Sequence, residues 1–350
     1  MKKKAKALSL ALASVMMLSL AACSGKAPET TEPAADTTAA QSSAAETTAE
    51  SEAGTTAQNT ADGKQYKIGV LQLVQHTALD ASNKGFIQAL DDSGLNYTVD
   101  QQNASGDQPT CQTIASKLVN DGDDLILAIA TPAAQAVAGA TSDIPVLVTA
   151  VTDPAASDLV ESNEAPGGNI TGTSDLTPVK EQISLLKQIL PDAKTVGILY
   201  CTAESNSEIQ AQMAKEAIEA AGMTAVDYTV SSSNEIQTVV TSMVGKVDAI
   251  YAPTDNTIAA GMTTVAMIAN ENGLPTICGE EGMVKAGGLA TYGIDYYELG
   301  YLTGQQAVKI LTEGAETSSM PIEYLPLEKC KLSVNEETAK TLGIDVSGLK

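Results

Sequence analysis

An internal repeat constrains this chain more than any other feature. "KIGVL" (67–71), a helical stretch and "GLNYTVDQQNASGD" (94–107) are echoed by "TVGIL" (195–199), a helical stretch and "GMTAVDYTVSSSNE" (222–235). The echo continues between "DLILAIATPAAQAVAGATSDIPVLVTAVTDP" (124–154) and "VDAIYAPTDNTIAAGMTTVAMIANENGLPTICGEE" (247–281). Each half reads strand, helix, strand, helix, strand, helix, strand, the alternation that builds a parallel α/β sheet with right-handed crossovers. The fold class is therefore α/β, two similar doubly wound lobes with a cleft between them. After the repeat, "LATYGID" (289–295) leads into a helix over Tyr296 to Glu313, and "IEYLPLEKCKLSV" (322–334) is extended. A two-lobed chain of this build crosses between lobes three times, which sends that helix back to the first lobe and the last strand to the second. The expected lobes are 65–176 plus 296–320 and 177–295 plus 321–350.

Residues 1–22 stand outside this scheme. Lys2, Lys3, Lys4 and Lys6 precede an apolar run from Ala7 to Leu20. That run is shorter than the roughly 20 residues of a membrane span and ends in small residues, the form of a signal peptide. Leu20-Ala21-Ala22-Cys23 resembles a bacterial lipobox, which makes Cys23 the lipidated mature N-terminus. From Ser24 to about residue 64 the chain is Ala, Thr, Glu, Ser and Pro with almost no large apolar side chain, so it reads as a disordered linker. As a flexible coil its reach is about 35 Å.

Charge narrows the partners. The formal net charge is -23 and no residue is Arg. Nucleic acid is excluded as a partner, because phosphate binding rests on clustered Lys and Arg. Without a guanidinium fork, a bound carboxylate must be held by backbone N–H, hydroxyl, amide or Lys groups.

Open doubly wound sheets bind ligands beyond the carboxyl ends of strands, where strand order reverses. For the order 2-1-3-4-5, the first lobe contributes Gln75 and His76 after strand 1, Thr131, Pro132 and Ala133 after strand 3, and Thr149 and Asp153 around strand 4. The second contributes Tyr200, Glu204, Ser205, Asn206 and Ser207 after strand 1, Asp255 and Asn256 after strand 3, Gly279 after strand 4, and Asp295 near the end of the repeat. Ser205-Asn206-Ser207 opens a helix. One of the three serves as an N-cap, and the helix end also attracts an anion such as a carboxylate. Asp153, Asp255 or Asp295 can hold an ammonium group, although Asp before Pro or Asn is also ordinary turn chemistry.

No catalytic set, metal site or cofactor motif is expected. His76 is the only histidine, and neither G-x-S-x-G nor H-E-x-x-H accompanies it. Cys111, Cys201, Cys278 and Cys330 lack C-x-x-C spacing. Cys201 and Cys278 end strands 1 and 4 of one sheet with strand 3 between them, a separation of roughly 9–10 Å that is beyond disulfide reach. Four free, mostly buried thiols are expected.

"ALDASNKGF", "TPAAQ", "VTDP", "NITGTSD", "AESNS", "PTDNT" and "YGIDYYELG", taken in order, resemble the ABC-transporter substrate-binding lipoproteins that include tryptophan and tyrosine receptors. The resemblance covers about residues 65–345. Members more often carry Asn or Asn-Pro near position 201, where this chain has Cys201. The resemblance implies a type I periplasmic-binding-protein fold and no enzymatic activity. It implies a receptor on the outer face of the cytoplasmic membrane, lipid-anchored through Cys23, that passes an aromatic or other apolar amino acid to an ABC permease. A sugar or nucleoside receptor of the same fold is the alternative, and an exported hydrolase a more distant one. Sugar sites usually stack aromatics, and this chain has no Trp and one Phe, Phe86, besides its tyrosines.

Overall fold

Strands without a polar face must lie inside a sheet covered on both sides, and the repeat supplies several of them. The computed structural model describes residues 63–349. The signal-peptide, Cys23 and linker assignments fall outside the described residues.

The first half runs β1 (Tyr66–Gln72), α1 (Thr77–Ser93), β2 (Tyr97–Asn103), α2 (Gln108–Asp121), β3 (Leu125–Ile129), α3 (Thr131–Ala138), β4 (Val146–Val151) and β5 (Ile170–Ser174). The second half begins with α4 (Val179–Ile189) and β6 (Thr195–Cys201). It continues through α5 (Ser205–Ala220), β7 (Thr224–Val230), α6 (Ile236–Met243), β8 (Ala249–Ala252), α7 (Asn256–Ala260) and α8 (Met262–Glu271). It closes with β9 (Thr276–Cys278), α9 (Glu281–Lys285) and β10 (Ala290–Gly293). Then come α10 (Tyr296–Glu313), β11 (Glu323–Tyr324), β12 (Lys331–Val334) and α11 (Glu336–Leu342).

These strands form two sheets with matching order, β2-β1-β3-β4-β5-β11 and β7-β6-β8-β9-β10-β12. All pairings are parallel except β12, which runs antiparallel to β10. Every residue of β3, β4 and β5 is buried, whereas the edge strands β2 and β7 are half-buried or exposed apart from Tyr97 and Val230. Asp100, Gln101 and Asp227 on those edges discourage further strand pairing.

The chain crosses between lobes at residues 175–178, at 294–295 and after Tyr324. After the second crossing α10 returns to the first lobe and packs along α1 at backbone contact. A Cβ on Gly300 would collide with the Ser82 carbonyl oxygen, and one on Gly85 with that of Tyr297. The third crossing comes a few residues later than the expected 320/321 division, because 322–334 is not one strand. Pro326 and a turn of 3-10 helix at Leu327–Lys329 interrupt it, so β11 pairs with β5 and β12 with β10. Among the described residues Cys111, Cys201 and Cys278 are buried and Cys330 is half-buried, all four as free thiols. Strand β8 lies between those carrying Cys201 and Cys278, as expected.

Candidate functional site

Carboxyl ends of strands from the two sheets face each other, and among the described residues four side-chain hydrogen bonds cross the gap between them. His76 Nε2 meets Asn256 Oδ1 at 3.1 Å, Gln108 Nε2 donates to the Ala203 carbonyl at 2.7 Å, Gln135 Nε2 to Ser205 Oγ at 3.3 Å, and Gln210 Nε2 to Thr152 Oγ1 at 2.8 Å. The lobes are thus closed on one another. Asn256 Nδ2 donates to Glu204 at 2.6 Å, which turns its oxygen toward His76 and assigns the proton to His76 Nε2. His76 Nδ1 is then a buried acceptor with no partner among the described residues. Burial lowers the His76 pKa, opposed by the Asn256 hydrogen bond and by the Glu204 and Asp80 charges. An inter-lobe cavity of about 160 Å³ adjoins this bridge, lined by Val74, Pro132, Cys201, Glu204, Ser232 and Asn256 among others.

Four carboxylates are buried here: Asp175, Glu204, Asp255 and Glu280. None is in an ion pair. The ion pairs among the described residues all involve exposed lysines on the outer surface. Burial pushes Asp175 up to about 6 and Glu280 up to about 7. It also raises Asp255, helped by the neighbouring Glu204 charge. In three of the four, both oxygens have hydrogen-bond partners. Glu204 Oε2 accepts from the backbone and side-chain N–H groups of Asn256, and Oε1 from the N–H and hydroxyl of Thr257. Asp255 accepts from the Cys201 and Ile258 N–H groups, and Glu280 caps α9 through Gly282 and Met283. Asp175 differs. Its Oδ2 accepts from the Tyr296 hydroxyl at 2.7 Å, while Oδ1 has no partner among the described residues.

Other unpartnered buried atoms belong to segments at this edge: Thr131 Oγ1, Thr177 Oγ1 and Asn206 Oδ1. Backbone strain is concentrated there too. Ala130, just before α3, has φ 83 and ψ 152, a region nearly confined to Gly, and Ala150 in β4 has φ 54. Two hollows of larger volume lie on the first lobe: one of about 530 Å³ runs along α1 from the carboxyl ends of β1 and β2, where Gln72, Gln75 and Asn103 line it, and one of about 610 Å³ lies beside α10 and β11. Convergent buried polar groups, rather than volume, single out the cleft.

The residues expected from sequence separate into distinct roles. His76, Thr131, Glu204, Ser205, Asn206, Asp255 and Asn256 lie at the facing strand ends. Asn206 is not a free donor, since its Nδ2 is held by the Thr254 carbonyl at 3.3 Å and its free atom is an acceptor. Ser207 is buried beside Asn206, and Pro132 and Ala133 form the buried first turn of α3. Gln75 is exposed. Thr149 faces away, bonded to Thr173 under α10, and Tyr200 is turned toward Asp227, Glu208 and Lys215. Asp153 caps a turn through Ala156 N–H and Asn163, and Asp295 caps α10 through Tyr297 and Glu298. Gly279 is needed for clearance, because a Cβ there would strike Thr254 and Pro253, and its carbonyl accepts from Gln182. Sequence reasoning passed over Asp175, Gln210 and Tyr296 as site residues. Asp175 ends "NITGTSD" directly after a buried strand, and Gln210 follows Asn206 by one helical turn; both signals were readable.

Among the described residues no group of three or more His, Cys, Asp and Glu side chains could hold a metal ion, and no helix is long and apolar enough to cross a membrane. Cys201 is buried and its thiol pKa is raised by that burial, the opposite of an activated nucleophile.

Residues 67–348 match the model of the ABC transporter substrate binding protein family. Over 283 residues the chain is 45% identical to a tyrosine-binding protein of Clostridioides difficile, covering 80% of this chain and 81% of the relative. A Streptococcus pneumoniae ABC domain in complex with L-Trp is 41% identical, with a TM-score of 0.78 over 81% of this chain and 96% of that one. The ligand-free, open structure of a Clostridium difficile substrate-binding protein with adhesive properties is 46% identical over 81% and 97% of the two chains, yet its TM-score is 0.63. Similarity of shape thus runs with the ligand-bound relative although identity runs the other way, in keeping with the closed lobes. The chain belongs to the ABC transporter substrate-binding protein family.

Proposed function

We propose that this protein is an extracytoplasmic receptor that captures an aromatic amino acid between its lobes and delivers it to an ABC permease. The observation that carries the reading is the charge of the cleft. Buried carboxylates without a protein cation and the N-termini of α3 and α5 lie at the facing strand ends, so the cleft offers an ammonium partner and anion-attracting N–H groups together. An amino-acid zwitterion matches both. Its carboxylate is assigned to Ser205 Oγ, Thr131 Oγ1 and the free N–H groups of the two helix starts, which require no Arg. The ligands named for the two relatives, tyrosine and L-Trp, support the aromatic side chain. Solved transporter binding proteins at 14–16% identity, two of them sugar-transporter components and two with bound allitol or myo-inositol, support the shared fold alone. Anchoring through a lipid on Cys23 is part of the same proposal and rests on the Leu-Ala-Ala-Cys sequence.

The test is calorimetry of the full chain against the twenty amino acids, common sugars and nucleosides. Saturable binding of L-tyrosine or L-tryptophan is expected, with weaker binding of the corresponding amides. Binding of a sugar or nucleoside instead would refute the reading.

A further inference from the structure

We infer that Asp175 is the anchor for the ligand's ammonium group, with Tyr296 as the residue that positions it. This rests on the amino-acid receptor reading and goes beyond it by choosing among the acids of the cleft. The choice follows from hydrogen-bond capacity. Glu204 already accepts four hydrogen bonds, and both oxygens of Asp255 and of Glu280 are taken by N–H groups. In those three every carboxylate oxygen already has a donor, so a ligand N–H would add to a satisfied atom instead of satisfying an orphaned one. Asp175 is 4% exposed, and its Oδ1 has no partner among the described residues. A buried carboxylate oxygen without a donor is costly, and a ligand N–H group removes that cost.

Its surroundings face the cleft. The Thr152 hydroxyl, one of the groups favouring the Asp175 carboxylate, receives the Gln210 amide from the opposite lobe at 2.8 Å. Gln210 also bonds to the Thr254 hydroxyl at the end of β8. An ammonium at Oδ1 therefore lies beside a link that spans both lobes. Burial moves Asp175 up to about 6, and an ammonium at Oδ1 would favour its ionised form.

Position adds a second role. Asp175 begins the first crossover, and the unpartnered Thr177 hydroxyl lies two residues on. Tyr296 is the first residue of α10, immediately after the second crossover, and its hydroxyl fixes Asp175 Oδ2. One side-chain bond thus ties two of the three connecting segments at the point where the ligand nitrogen is held. Capture of the ammonium acts where the backbone must turn for the lobes to close.

The experiment compares each amino acid with its desamino analogue on the full chain: L-tyrosine against 3-(4-hydroxyphenyl)propionate, and L-tryptophan against indole-3-propionate. Asp175→Asn should weaken amino-acid binding about ten- to hundredfold while leaving the desamino acids unchanged. Tyr296→Phe keeps the ring and should weaken the amino acids alone by about three- to tenfold. It carries the test should Asp175→Asn not fold. Parental affinity in Asp175→Asn, equal losses for both ligand types, or a Tyr296→Phe variant indifferent to the amino group would each overturn the assignment. A parent that binds amino and desamino acids equally well overturns it as well, while leaving the receptor reading standing. A parent that binds none of the four refutes the receptor reading and the Asp175 assignment together.

Discussion

Glu204→Gln probes the cleft architecture most directly, because the two side chains have the same shape and differ only in charge and hydrogen-bond sense. In the parent, Oε1 takes the Thr257 N–H at 2.9 Å and hydroxyl at 2.8 Å, and Oε2 takes the Asn256 side-chain N–H at 2.6 Å and backbone N–H at 3.2 Å. A glutamine retains one acceptor oxygen. If the oxygen stays with Asn256, the new NH₂ faces Thr257, whose hydroxyl can reverse and accept but whose backbone N–H cannot. One buried N–H is left unpaired, at about 1–3 kcal/mol, and the surviving bonds lose their charge assistance. The expected loss is about 2–4 kcal/mol, a fall in Tm of roughly 3–7 °C for a protein of this size. Asp255 should respond in the opposite sense, since removing the neighbouring negative charge lowers its raised pKa. Differential scanning calorimetry checks the first effect and carboxyl NMR titration the second. A variant as stable as the parent within about 0.5 kcal/mol would refute the account of Glu204 as the clamp on α7.

Further outcomes follow from other parts of the molecule. Ala130→Gly trades a buried methyl for release from a strained backbone worth about 1–3 kcal/mol, so urea unfolding should find it no less stable than the parent. For Glu280, pushed up to about 7, the folded state binds the proton more tightly than the unfolded chain does. Its contribution is therefore fully present below the unfolded carboxylate pKa of about 4.3 and is lost as pH rises through about 7. Thermal melts of Glu280→Gln should lack that component; His76, whose pKa is lowered, acts oppositely below about 6.5 and remains in both proteins. His76→Ala should widen the ligand-free protein by removing one inter-lobe bond, and small-angle scattering should record a larger radius of gyration that saturating ligand reverses. Cys23→Ala should move the protein out of the membrane fraction, and an unchanged distribution would contradict lipid anchoring.

Much of the fold was legible because burial in a parallel sheet writes itself into composition. The short buried run of β3 with its small-residue helix α3 is matched in the second half by β8 with α7 and α8, and the order around β1 and β6 follows from that repetition. The division of 322–334 into β11 and β12 was not legible, since two-residue pairing leaves no periodic signal. The site was legible only as a set of strand ends. Which acid is free depends on donors far away in sequence, such as Thr257 N–H for Glu204 and Tyr296 for Asp175. Asp255 is marked locally as the cap of α7 through Ile258 N–H three residues on, but the Cys201 N–H on its second oxygen comes from 54 residues away, and nothing local shows that Asp175 keeps one oxygen without a partner. The same limit applies to Asn206, whose donor is taken by a carbonyl 48 residues away.

The bonds that join the lobes come from Gln108, Gln135, Gln210 and His76, side chains that carry no charge in the arrangement described. Opposite charges would have closed the cleft more strongly, but their attraction fades with dissolved salt, over about 8 Å at physiological ionic strength. An amide latch is nearly blind to that variable. A protein working outside the cytoplasm meets whatever salinity its surroundings impose, and this one carries a net charge of -23 whose own field changes with it. With uncharged side chains bridging the cleft itself, closure depends less on salinity than a charged latch there would make it, and capture of the amino acid is what tips it.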